Sequence, residues 1–118
     1  MPLYLVEKLI DDVVVLDARG RITLGQETET LRQKINAIIG AGRKRIVLDL
    51  GDVDYIDSAG LGILVSSAAS TRRAGGEMKL VNLTKRVRDL MQITRLSTLF
   101  EVYDTVEKAR LSFGPLPV

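Results

Sequence analysis

Arg45-Ile46-Val47-Leu48-Asp49-Leu50 is a nearly continuous apolar run. Such a strand is stable only with both faces covered, the position of a central strand in a parallel sheet layered with helices. It leads through Gly51-Asp52-Val53-Asp54, a turn-rich link, into Tyr55-Ile56-Asp57-Ser58-Ala59-Gly60-Leu61-Gly62. From there the hydrophobic period changes. Leu61, Leu64, Val65, Ala68 and Ala69 recur at i, i+3, i+4, i+7 and i+8, one face of a helix that Gly75-Gly76 ends. Strand, hydroxyl-bearing turn and helix in this order form half of a βαβ unit. The unit predicts an α/β chain.

The flanking sequence repeats the alternation. Residues 3–10 read as a first strand, Asp11-Asp12 as a turn, and the β-branched run Val13–Ala18 as a second strand. The short connection predicts an antiparallel hairpin. Gly20–Gly25 reads as a loop. From Gln26, Leu31, Ile35, Ile38 and Ile39 mark a helix closed by Gly40 and Gly42. After the central motif come a strand at Met78–Asn82 and a helix capped by Thr84 that carries Val87, Leu90 and Met91. A break at Arg95-Leu96-Ser97 precedes a short strand at Leu99–Tyr103 and a last helix. Asp104-Thr105-Val106-Glu107 opens that helix as a capping box, with Asp104 as the cap. The predicted order is ββαβαβαβα: a mostly parallel sheet flanked by helices, with an antiparallel first strand. At 118 residues the chain is expected to be one domain, 1–118, with a core at about 3–112 and an extended, frayed tail over 113–118.

Composition removes several kinds of chemistry. There is no cysteine, hence no disulfide or thiolate, and no histidine, the commonest general base and metal ligand. A serine nucleophile needs a neighbouring base. Ser58 has no histidine to use, no Ser-x-x-Lys pattern and no Gly-x-Ser-x-Gly elbow, so the chain is expected not to be an enzyme. Gly60-Leu61-Gly62 lacks the third glycine of a dinucleotide loop and the Lys-Ser/Thr of a P-loop. These two glycines either let the first helical turn approach the sheet or leave backbone open to a partner. Asp52, Asp54 and Asp57 cluster without the calcium-loop spacing and read as turn and capping residues. No metal or cofactor is expected.

Seventeen basic and fifteen acidic residues are mixed along the chain. The basic runs Arg43-Lys44-Arg45 and Lys85-Arg86-Val87-Arg88 read as solvated faces, and the chain's five aromatic residues are too few for a nucleic-acid platform. No leader or membrane span is expected, and the expected location is the cytoplasm. On local physics the favoured role of Ser58 is a helix cap, and a surface serine at the positive end of a helix is also compatible with a phosphate. Both readings stay open at this level.

Asp57-Ser58-Ala59-Gly60-Leu61-Gly62 resembles the phosphorylation motif of the STAS-domain family, in particular the bacterial anti-sigma-factor antagonists. The resemblance extends over roughly residues 3–112. It includes Ile46–Leu50 before the motif, Gly75-Gly76 after the helix, and Leu80-Val81-Asn82 leading into Arg86-Val87-Arg88. It implies partner switching. The unphosphorylated antagonist binds an anti-sigma factor that is also a serine kinase of the GHKL ATPase type, and so releases a sigma factor. Phosphorylation reverses the binding, and a PP2C-type phosphatase restores it. On this resemblance Ser58 is the phosphoacceptor. Asp57 shapes the site, and Ala59, Gly60, Leu61 and Gly62 form part of the docking surface. Many members carry an acidic residue where Gly20-Arg21-Ile22-Thr23 places Thr23. The resemblance puts this loop on the same side of the sheet as Ser58, so Thr23 either tunes kinase affinity and partner choice or simply turns the loop. STAS-like domains also serve transporter and sensory complexes as structural or ligand-sensing modules, which is the alternative reading.

Overall fold

The computed structural model describes residues 2–115. The elements are β1 (Leu3–Ile10), β2 (Val13–Ile22), α1 (Gln26–Gly40), β3 (Arg45–Ile56), α2 (Ser58–Arg73), β4 (Glu77–Val81), α3 (Lys85–Ile93), a 3₁₀ turn (Leu96–Leu99), β5 (Val102–Tyr103) and α4 (Val106–Ser112). They form a five-stranded sheet in the order β1-β2-β3-β4-β5. β1 pairs antiparallel with β2, and every other pairing is parallel. This is the α/β architecture expected from the alternating pattern. The β1–β2 hairpin turns on Asp11-Asp12, where Asp11 takes a positive φ of 56°, a conformation that aspartate tolerates better than most residues.

Alternate residues of β3 serve two cores. Ile46, Leu48 and Leu50 pack with Leu31 and Ile35 of α1, Leu61 and Leu64 of α2, and Val87 and Met91 of α3. Val47 lies on the other face with Val13, Val15, Val81 and Ala109 of α4. Thus α1, α2 and α3 cover one face and the short α4 covers part of the other. On the α4 side lies a buried cation. Lys79 is only 4% exposed. Its Nζ donates to Ser112 Oγ at 2.6 Å and lies 4.3 Å from the centroid of the Phe113 ring.

Several element ends differ from the sequence expectation. β2 runs on to Ile22 and β3 to Ile56, so the loop expected at 20–25 is shorter and the link expected at 51–54 is strand. The turn-forming residues are absorbed as register shifts between Asp17 and Arg19 and between Gly20 and Arg21. In this bulged stretch Asp49 Oδ1 accepts from the Gly51 amide at 3.0 Å. β5 keeps only Val102 and Tyr103 of the strand expected at 99–103, because residues 96–99 coil into a 3₁₀ turn. Thr105, not Asp104, caps α4, accepting from the Lys108 amide at 3.1 Å. The Gly114 and Pro115 carbonyls accept from the Arg45 guanidinium at 2.8 and 3.2 Å, so that part of the expected frayed tail is tied down. The remaining tail residues, 116–118, lie outside the described residues.

Candidate functional site

The extension of β2 and β3 past their expected ends builds the site. Parallel pairing continues to Ile22↔Ile56, which brings both strand ends to one edge of the molecule. The Ile22 carbonyl accepts from the Asp57 amide at 3.4 Å. The chain then turns directly into α2.

Asp57 is the cap of α2, and Ser58 is its first helical residue. The expected assignment of the cap to Ser58 is therefore corrected by one position. Asp57 Oδ1 accepts from the Gly60 amide at 2.8 Å, satisfying one of the orphan donors of the first turn. Its Oδ2 accepts from the Leu24 amide at 3.0 Å, 33 residues away in the chain. One carboxylate thus fastens the β2–α1 loop to the start of α2. Burial pushes the Asp57 carboxyl up. The amides of Leu24, Gly60, Asp57 itself and Ala59 outweigh this and hold it below the usual carboxylate range. Ser58, relieved of capping, is exposed and its hydroxyl is available at the positive end of a sixteen-residue helix.

Gly60 and Gly62 divide between the two roles left open for them. A Cβ on Gly60 would lie 2.1 Å from the Ile22 carbonyl oxygen and 2.7 Å from Ile56 Cγ1, so only glycine lets α2 sit this close to the strand end. A Cβ on Gly62 would meet nothing within 4 Å; this glycine leaves helix surface open. Ala59 is half-buried. Leu61 is 3% exposed and packs in the core. Leu61, expected on a docking surface, is thus buried beneath the start of α2, as is Gly60. Thr23 is half-buried in the β2–α1 loop, and its carbonyl accepts from the Thr28 amide at 3.3 Å. The structure brings Thr23 to the site through its neighbour Leu24, whose amide Asp57 holds.

Sequence reasoning did not find the residues contributed by distant segments. A cleft beside Ser58 is lined by Tyr55 from β3 and by Lys85, Arg86, Leu90 and Ile93 from α3. Leu24, Tyr55 and Ile93 are apolar or aromatic side chains 78%, 38% and 79% exposed. The Arg21 and Arg86 guanidinium carbons lie 5.3 and 5.7 Å from the centroid of the Tyr55 ring. The surface around Ser58 therefore combines exposed apolar groups with cations, a composition suited to a protein partner. The only sequence signal for it was the basic run at 85–88, which also fits a solvated helix face. Among the described residues no group of three or more acidic side chains is placed to hold a metal, and no helix is long and apolar enough to cross a membrane.

Comparison with known proteins agrees with this architecture. The chain is 33% identical over 104 residues to BtrV of Bordetella bronchiseptica, provisionally named an anti-sigma factor antagonist, with 88% of this chain and 89% of BtrV covered. It is 35% identical over 72 residues to the anti-sigma-B factor antagonist of Bacillus subtilis, covering 61% and 65% of the two chains. The crystal structure of a Thermotoga maritima protein, also provisionally named an anti-sigma factor antagonist, superposes with a TM-score of 0.84 at 28% identity and 92% coverage of both chains. Residues 4–109 match the family model described as the STAS domain, and the chain belongs to the STAS-domain family.

Proposed function

We propose that this protein is an anti-sigma-factor antagonist that works by partner switching in the cytoplasm, with Ser58 as its phosphoacceptor. The observation that carries the reading is the exposed Ser58 hydroxyl at the start of α2, freed from capping by Asp57 and bordered by exposed Leu24, Tyr55 and Ile93. The names of the relatives support the antagonist role. In the unphosphorylated form this face docks on an anti-sigma factor of the GHKL serine-kinase type. Ala59 and Gly62 contribute to the contact surface, and Thr23 and Asp57 shape its rim. The ATP and Mg²⁺ of the transfer belong to the kinase.

Phosphorylation introduces a charge of about −1.5 to −2 beside the ionised Asp57. The added phosphate is favoured by the dipole of α2 and leaves the Asp57 cap in place. The fold persists while the docking face changes from apolar and cationic to anionic, which ejects the kinase by desolvation and like-charge repulsion. A PP2C-type phosphatase resets the switch.

Incubation with the cognate kinase and ATP is expected to add about 80 Da, one phosphate, and Ser58→Ala is expected to abolish the addition. Phosphorylation is expected to weaken the complex at least tenfold, about 1.4 kcal/mol, by calorimetry. A mass increase that survives Ser58→Ala, or a complex equally tight in both states, would overturn the reading.

A further inference from the structure

The head of the basic run, Lys85-Arg86, so far only lends positive charge to the face beside Ser58. Folding places it across the cleft from Ser58, so that the first residues of α2 and α3 both border one cavity. The charges there are unevenly committed. Asp57 is held by the Leu24 and Gly60 amides. Asp89 and Lys85 pair with each other at 2.8 Å. Arg86 is exposed and, among the described residues, has no carboxylate partner; its guanidinium lies near the Tyr55 ring, which Arg21 also approaches. An exposed cation–π contact is weaker than a charge-assisted, two-pronged hydrogen bond to a phosphate.

We propose that the phosphate on Ser58 is received within the same molecule by Arg86, with Lys85 in a secondary role, so that phosphorylation bridges α2 to α3. The inference rests on Ser58 being the phosphoacceptor. Arg86 leaves the Tyr55 ring to bind the phosphate, and the exposed face beside Ser58 is rearranged as well as recharged. The switch then acts twice: it places negative charge on the docking face, and it draws a cation away from it.

Phosphoserine incorporated biosynthetically at position 58 of the full chain tests this without a kinase. The second ionisation of the phosphate is followed by ³¹P NMR; Tyr55, Asp57, Lys85, Arg86 and Asp89 line the cleft around it, and Arg21 stands beside the Tyr55 ring. The phosphate is expected to titrate below its ordinary value of about 6. Arg86→Ala is expected to raise that value by about half a unit or more. Arg86→Lys should restore part of the shift. Arg88→Ala, an exposed cation on the same helix outside this cleft, should leave it unchanged. Superimposable titrations for Arg86→Ala and the parent chain, with matching circular dichroism, would overturn the proposal. A kinase that fails to add phosphate to Ser58 would overturn the phosphoacceptor reading separately, since the titration does not depend on the kinase.

Discussion

Replacing Gly60 by alanine tests the packing that sets the position of Ser58. In an unobstructed helix the change stabilises by about 0.8–1 kcal/mol, because alanine loses less backbone entropy. At Gly60 the new methyl would lie 2.1 Å from the Ile22 carbonyl oxygen, 2.7 Å from Ile56 Cγ1 and 3.0 Å from the Ile22 carbonyl carbon. Two of these three atoms are backbone of the adjoining strand end, so no change of rotamer relieves the overlap. α2 must withdraw by about 1 Å to restore ordinary van der Waals spacing. That withdrawal strains the Asp57 links to Leu24 and Gly60 and loosens Leu61 and Leu64 in the core. Overpacking of this kind costs about 1–3 kcal/mol, and contact with backbone puts Gly60→Ala at the upper end. Less the helix-propensity gain, the net loss is about 2 kcal/mol, or a fall in Tm of roughly 6–12 °C for a chain of this size. Gly62→Ala is the internal control. It meets nothing within 4 Å and should gain about 0.5–1 kcal/mol. Urea and thermal unfolding followed by circular dichroism measure both variants. If Gly60→Ala is as stable as the parent chain, or both variants shift by the same amount in the same direction, the packing argument fails.

Further expectations concern Asp57 and α4. Asp57→Ala removes the cap and the link to Leu24 and should cost about 1–2 kcal/mol in urea unfolding at neutral pH; a loss below about 0.3 kcal/mol would contradict the bridging role. Because the folded-state ionisation of Asp57 is depressed, its contribution is fully present above the unfolded value of about 3.9. It is lost as pH falls through the lower folded value. The gap between the parent chain and Asp57→Asn should therefore narrow as pH falls below about 4, and a gap constant from pH 7 to pH 3 would refute the assignment. Phe113→Ala takes away the ring over Lys79 and should destabilise by about 1–3 kcal/mol. Hydrogen exchange should rise first in Val106–Ser112, and uniform exchange across all helices would contradict a local hold on α4.

The alternation of elements, and the faces that α1, α2 and α3 bury, could be read from the chain alone. These follow from local periods: Ile46, Leu48 and Leu50 alternate as a strand does, and Leu31, Ile35 and Ile38 repeat as a helix does. Hydrophobic burial converts such periods into layers with little choice left. The exposed serine at the strand-to-helix turn was legible for the same reason. Decisions that depend on distant groups were not. Gly51-Asp52 reads as a turn until β2 lies alongside and its bulges take up the register. Asp57 and Ser58 are both good caps, and the choice fell to Asp57 because its second oxygen meets the Leu24 amide, a contact spanning 33 residues. The two glycines of the motif look alike in sequence; the Ile22 carbonyl and Ile56 side chain packed on Gly60 separate them. The cleft that joins Ser58 to Tyr55 and Arg86 likewise exists only after the ends of β3, α2 and α3 converge, because clefts are made by tertiary packing and leave no period in the chain.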